Sequence, residues 1–552
     1  MADRYLPDAL FDDLYSANGR PAISPTAVTR LLLLQLKFGR SDRQALEDLN
    51  YDVRWQYMVD LPAAACDFDF TVLTYHRLRL LYGTIDRTKI RALQAQGVDL
   101  LATSPAQRVL DALVSLAVDL DLLDPAAAQG IDSTALLGAA AIQDAYRLLF
   151  QALRQVLQAT AAALPAAAQA ALLAQLRRPE YLERARTKPV IAWDDPAARQ
   201  ALLTDYVLDA AALATACQAV DDPAVQAALA QLQRLIGQDL TVAPDGTATL
   251  TPAVAPDRQC SVVDPELRHG RKSKSRRFNG YKAHLRVEPT SGLITDVATT
   301  PANVHDSAAV PELLAHDPPP VVIGDQAYGG LETRQQALAQ EVALLTPALT
   351  VHPCDKAAFT LDEAAGTLTC PAGTTVRVRA NGKAHFPAAT CRACPHHDQC
   401  CGGRGGREVQ TRPGESLVRD LQDAARRPET AAEIRRVRAA TERIIGHFIR
   451  ACGRTARAFG RLNTGLQVLL GAIGYNLDRL GRLLTARAPA PAPTGPATPT
   501  SGPRRSPRGP RETARAGLIP RGPDSNPWAA TRRPRGNSPA PPVKTPGFST
   551  AC

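Results

Sequence analysis

Two carboxylates stand where chemistry would be sought. Asp132 closes Ala128-Gln-Gly-Ile-Asp and Asp325 follows Pro320-Val-Val-Ile-Gly, each where a short predicted strand runs out, the place where open α/β sheets carry functional groups. A lone acid there usually just faces solvent. Two such acids on neighbouring strand ends, joined by a third from a helix, can hold two Mg²⁺ or Mn²⁺ ions about 4 Å apart. One ion then serves the attacking water or 3′-hydroxyl and the other the leaving oxygen of a phosphodiester.

Between the two acids lies the basic run Arg268-His-Gly-Arg271-Lys272-Ser-Lys274-Ser-Arg276-Arg277, with Lys282 and His284 just after it. Such a run is either a solvated loop or a phosphate-contacting track that positions nucleic acid without reading its sequence. Its place between the candidate acids favours DNA contact. A second constellation is cysteine-rich: Cys370, then Cys391, Cys394 and Cys400 in Cys-x2-Cys-x5-Cys order, with Cys401 adjacent. Four thiolates so spaced can close a tetrahedral structural Zn²⁺ site. His396, His397 and Cys401 are alternative ligands, and plain reduced thiols are the other reading.

The elements that must position these groups read as a mixed α/β fold. Residues 1–95 form a small helical domain. Ser24-Pro25 opens a helix by its capping side chain and first-turn proline, Val28, Leu31, Leu32 and Leu36 follow at helical spacing, and Gly39 ends it. Ser41 opens the next, so the pair is either a helix-turn-helix or part of a plain helical bundle. Residues 105–487 form the core. Within it, about 140–240 is an Ala- and Leu-rich helical insertion, its composition reflecting helix propensity. Tyr281–Glu288 and Leu293–Thr300 alternate around Pro289-Thr-Ser-Gly292 as a β-hairpin, a helix spans Ser307 to Ala315, and about 350–425 is a β-rich, cysteine-containing insertion. Helix returns over Thr430–Arg450 and Leu466–Leu484.

With 45% apolar and 21% charged residues, most of the chain should fold as ordinary globular protein. It has no run of about twenty uncharged apolar residues and no basic-then-apolar start, so a cytoplasmic location without membrane contact is expected. The net charge of +10 resides mainly after residue 487, where nine Arg and one Lys face Glu512 and Asp524 among sixteen prolines. Residues 488–552 are therefore expected to be a disordered basic tail, either adding non-specific DNA affinity or neutral in effect. About two net positive charges remain for residues 1–487, so a DNA surface there must be a local patch.

Four motifs occur in order: Gly130-Ile-Asp132-Ser-Thr134, Arg276-Arg-Phe-Asn-Gly-Tyr281-Lys282-Ala-His284, Thr300-Pro-Ala-Asn303-Val-His305-Asp306, and Ile323-Gly-Asp325-Gln-Ala-Tyr328-Gly. Their succession, over about residues 5–485, resembles the DDE transposases of bacterial insertion sequences, which have an RNase H-like catalytic core behind a helical N-terminal domain. The resemblance implies that Asp132 and Asp325 are the first two acids, that Asn303 and Asp306 shape the site, and that Glu442 is the third acid, with Arg438 on the same helix face. Related chains often carry Tyr seven residues before that Glu and Lys seven after; here Arg435 and Ile449 stand there, which keeps Glu433 as a rival. The family implies metal-dependent cleavage and strand transfer at an element's terminal inverted repeats by a dimer or larger assembly. A catalytically degenerate DNA-binding remnant and a stand-alone metal nuclease are the alternatives.

Overall fold

The computed structural model describes residues 6–16, 22–96, 100–183, 189–272, 275–349, 354–401 and 405–487. Residues Met1–Ala488 form one compact unit. The tail beyond it, with the disorder expected of it, lies outside the described residues.

Local signals set the first helices. Ser24 Oγ accepts from Ala27 N and caps α1 (Pro25–Phe38), and Gly39, at φ 65°, closes it in the left-handed region that glycine enters at no steric cost. Ser41 and Gln44 form a reciprocal capping box that starts α2 (Asp42–Tyr51). Leu31, Leu32, Ala45 and Leu49 are buried in a hydrophobic cluster that also takes in Leu285, Ile294, Phe448 and Leu469 from the sheet and the C-terminal helices. The N-terminal helices thus share an apolar core with the sheet.

That sheet has five principal strands: β1 (Gln129–Leu137), β2 (Arg277–Glu288), β3 (Leu293–Pro301), β4 (Val321–Ile323) and β5 (Ala343–Leu345). Their spatial order is β3-β2-β1-β4-β5, the first three antiparallel and the last two parallel to β1. Mixed α/β, RNase H-like architecture is what the sequence implied, and it is what forms. Arg268–Arg271 adds a sixth strand, pairing with the start of β2.

Two long helices cover the sheet, α3 (Pro428–Cys452) and α4 (Arg461–Arg487). The approach of α3 explains Gly130: a Cβ there would lie 2.0 Å from Thr441 Oγ1 and 3.0 Å from Val437 Cγ1. Only a residue without a side chain lets the helix lie on β1 at this point. Helix α4 satisfies the edge of β3 through the buried Asn476, whose Oδ1 accepts from Ile294 N (2.9 Å) and whose Nδ2 donates to Ile294 O (2.7 Å). An unpaired strand edge would otherwise be left buried.

The helical insertion follows β1. Helices Ala145–Ala163, Pro196–Ala216 and Pro223–Asp239 enclose a separate apolar cluster that includes Phe150, Tyr206 and Leu235. In the cysteine-rich insertion the strands are three residues long: Thr360–Asp362, Thr367–Thr369 and Thr375–Arg377 form one small sheet, and Lys383–His385 pairs with Glu408–Gln410. Two expectations change. The helix over Ser307–Ala315 contracts to a 3-10 turn, Asp306–Ala309, and one helical turn, Val310–Leu313. Strand β1 does not end at Asp132 but continues to Leu137, because β2 pairs with it from Val287 opposite Gly130 to Gly280 opposite Leu137.

Candidate active site

The parallel register of β1 and β4 places the two acids side by side. Gly130 pairs with Ile323; Asp132 lies two residues further along β1, and Asp325 two residues beyond the end of β4. Asp325 has left the strand, and its Oδ1 accepts from Ala327 N (2.8 Å), capping the 3-10 turn Gln326–Tyr328. Asp132 is held by the backbone N–H of Ser133 (2.7 Å). On α3, Val437 and Thr441 face Gly130, and Glu442 follows directly.

Electrostatics ties these groups together. Burial, reinforced by the negative charges of Asp325, Glu442 and Asp306, pushes the Asp132 carboxyl up to about 6 against the opposing pull of the Ser133 N–H. Three further carboxylates thus act on one partly buried acid, the signature of a site that stores negative charge. Glu442 itself is 62% exposed and pairs with Arg438 at 3.6 Å, one turn earlier on the helix. The rival Glu433 is engaged by Arg436 at 2.7 Å and lies half a turn around the helix from Glu442, nine residues at about 100° each.

A fourth acid belongs to this neighbourhood. Asp306 accepts from Ser133 Oγ (2.9 Å) and from Lys282 Nζ (2.5 Å), and Lys282 also donates to Val304 O (2.7 Å). Burial opposes its ionisation, but the Lys282 ammonium outweighs it and holds the Asp306 carboxyl below the usual range. His284 is hydrogen bonded to Thr300 Oγ1 (2.9 Å), and burial keeps it neutral, pulled down to about 4. Tyr328 is fully buried among these groups, its phenol pushed well up by burial and by the charges of Asp306, Asp132 and Asp325. Ser133, His284 and Tyr328 stand inside the sequence motifs, but no spacing rule marks them as partners; only the sheet register brings them together.

The basic residues divide. Arg271, Lys272, Arg276 and Arg277 are exposed around the edge strand and its turn, while Lys274 lies outside the described residues. Lys282, expected to face DNA, is only 15% exposed and bound to Asp306, and Arg438 faces Glu442.

Cys370, Cys391, Cys394 and Cys400 do come to one pocket of about 310 Å³, joined by Cys354, Cys401, His396 and His397. Cys370 Sγ accepts from Thr374 N (3.3 Å), Cys354 Sγ contacts His396 O at 4.0 Å, and Cys400 and Cys401 are hydrogen bonded to Cys354 and Cys391. Burial pushes the Cys400 thiol up to about 11. Among the described residues no three His, Cys, Asp or Glu side chains are grouped as ligands around an ion, so the zinc reading gains no support. The carboxylates are not grouped as ligands either among the described residues, although their hard oxygens are the donor type that divalent cations take. No helix among the described residues is long and apolar enough to cross a membrane.

Comparison with known families agrees with the geometry. The family described as Transposase DDE domain matches residues 248–477, and that described as Transposase domain (DUF772) matches residues 2–79. The first match begins beyond the helical insertion and contains Asp325 and Glu442, with Asp132 ahead of it. Neither the curated proteins nor the solved structures yield a match.

Proposed function

Because the chain belongs to the DDE transposases of insertion-sequence type, we propose that it binds the terminal inverted repeats of its element, cleaves DNA there and joins the freed 3′ ends to target DNA. Asp132, Asp325 and Glu442 are its catalytic carboxylates and would hold two Mg²⁺ or Mn²⁺ ions. The observation that carries this is the negative field at Asp132, to which Asp325 and Glu442 both contribute. When bound, the ions would supply Lewis-acid charge to the scissile phosphate.

The chain's own groups do the rest. Asp132 and Asp325 are fixed by backbone N–H groups, so their oxygens are oriented before any ligand arrives. Glu442 is mobile by comparison: its exposed i,i+4 pair with Arg438 is worth only about 0.3–0.5 kcal/mol, and breaking it to turn the carboxylate toward Asp132 costs little. Lys282 neutralises Asp306, leaving the charge of the other three acids for the cations. Arg271, Lys272, Arg276 and Arg277 hold DNA phosphates beside the sheet, and Lys274 belongs to the same basic run. Two element ends handled together imply a dimer or larger assembly on DNA.

The test is cleavage of a supercoiled plasmid carrying both element ends, with Mg²⁺ or EDTA, for the natural chain beside Asp325→Asn. Cutting that needs both metal and Asp325 is expected. Binding without cutting in the natural chain would instead make it a degenerate remnant, and cutting by the variant would remove Asp325 from the site.

A further inference from the structure

A cavity of about 810 Å³ lies between α1, α3, α4 and the hairpin turn after β2. Six Arg or Lys side chains line it, against one carboxylate, Asp478. The whole of residues 1–487 carries only about two net positive charges, so the concentration here is not a sample of the general surface.

Its construction is rigid. Tyr475 OH donates to Gly292 O (3.0 Å) and Arg479 Nε to Ser291 O (2.6 Å), pinning α4 to the hairpin turn. Arg482 is paired with Asp478 at 2.8 Å. Four other polar side chains are not so occupied: among the described residues Lys37, Arg443, His447 and Arg450 take no hydrogen bond or ion pair, and all are exposed. Arg443, His447 and Arg450 recur at i, i+4 and i+7 along α3, a stripe about 10 Å long, and Lys37 comes from the last turn of α1. The stripe occupies the flank of α3 about a quarter-turn around from Glu442, at about 100° per residue. Leu33, Leu36, Leu470 and Leu477 supply an apolar floor.

We propose that this groove is a second DNA site, in which Lys37, Arg443, His447 and Arg450 hold the phosphates of a strand while α3 presents Glu442 on the adjoining flank. The proposal rests on the transposase reading for the identity of the polyanion. Arg443 and Arg450 on one stripe with Lys37 nearby, and the one lining carboxylate, Asp478, already paired with Arg482, match a phosphate backbone; an acidic protein segment would offer fewer charges per unit length. The groove is distinct from the basic edge strand: Arg277 starts β2 and the turn follows its end at Glu288, about 35 Å away at strand spacing.

The experiment measures affinity of the full chain for a labelled DNA duplex, and for one of its strands alone, across a salt series. Arg443→Glu/Arg450→Glu should lower affinity by roughly ten- to thirty-fold near physiological salt and reduce the salt slope by roughly two, since each phosphate contact contributes about 0.9. Arg443→Lys/Arg450→Lys should restore both, and an unchanged melting temperature shows that the fold is kept. Which form of DNA loses more identifies the strand state the groove takes. The exposed pair Arg377→Glu/Arg379→Glu, in the cysteine-rich insertion, should change neither. Equal loss in that control, or unchanged affinity for both DNA forms in the α3 variant, would overturn the proposal. Since the readout is binding, failure here leaves the cleavage test of Asp325 untouched.

Discussion

The carboxylate cluster and the thiol cluster both bring chemistry-bearing side chains from distant parts of the chain into one place, yet they differ in kind. At the sheet, burial raises Asp132 to about 6 and the charges of Asp325, Glu442 and Asp306 add to it, so the groups answer to one another's charge. In the cysteine pocket burial again comes first, pushing Cys400 up to about 11 with Cys354 and Cys401 adding to it, but the result is a neutral thiol, and the sulfurs meet one another and the backbone. Spatial convergence is common to both. What separates a candidate reaction centre from a packed pocket is like charge held together, which costs folding energy and persists where something else must offset it.

The comparison can be broken at several points. The largest effect should come from Glu442→Gln, which is expected to abolish cleavage while sparing DNA binding; Glu433→Gln, which breaks only the pair with Arg436, should leave both intact. Exchange of those outcomes in the plasmid assay would move the third acid nine residues. Asp306→Asn should cost about ten- to a hundred-fold in cleavage, the usual range for a group that supports metal ligands without being one, and it should raise the metal concentration needed for half-maximal activity. An unaltered metal requirement would make Asp306 a packing residue. Smallest of all, Cys391→Ser/Cys394→Ser should lower stability by only about 1 kcal/mol, with no response of the melting temperature to chelator in the natural chain. A melting temperature that collapses on chelation would show a metal held by the thiols and erase the contrast.

Legibility in the sequence followed the range of the interactions. Ser24, Gly39 and Ser41 cap helices through contacts three or four residues away, and the β2-β3 hairpin is announced by alternation on both sides of a turn; such features need no knowledge of the rest of the molecule. Asp132 and Asp325 were legible because short apolar runs precede each. The continuation of β1 through Ser133 to Leu137 was not, since Ser133 and Thr134 interrupt the apolar pattern and become strand only by pairing with residues about 150 further on. Strand β5, three residues long, exists by its pairing with β4 and has no pattern of its own. Lys282 looked like part of a basic track, and nothing short of the register that sets it near Asp306 reveals an internal ion pair. The cysteine spacing predicted proximity correctly and ligation without support, because spacing constrains where sulfurs go but not what they meet there.

The helical insertion has a consequence for how the protein comes to be. Strand β1 must find β2 across the whole insertion, yet Gly138 N donates to Asn279 O at 2.9 Å, so the chain leaves and re-enters the sheet at nearly the same point. Closure entropy grows only with the logarithm of loop length, and an insertion with its own apolar cluster can collapse early and shorten the effective loop further. During synthesis the first acid is therefore made long before its neighbours and waits, on an unpaired strand, behind a module that folds by itself. A module whose two ends meet at one place is a plug-in: it can be lengthened, trimmed or exchanged while the sheet that holds Asp132 and Asp325 stays in register.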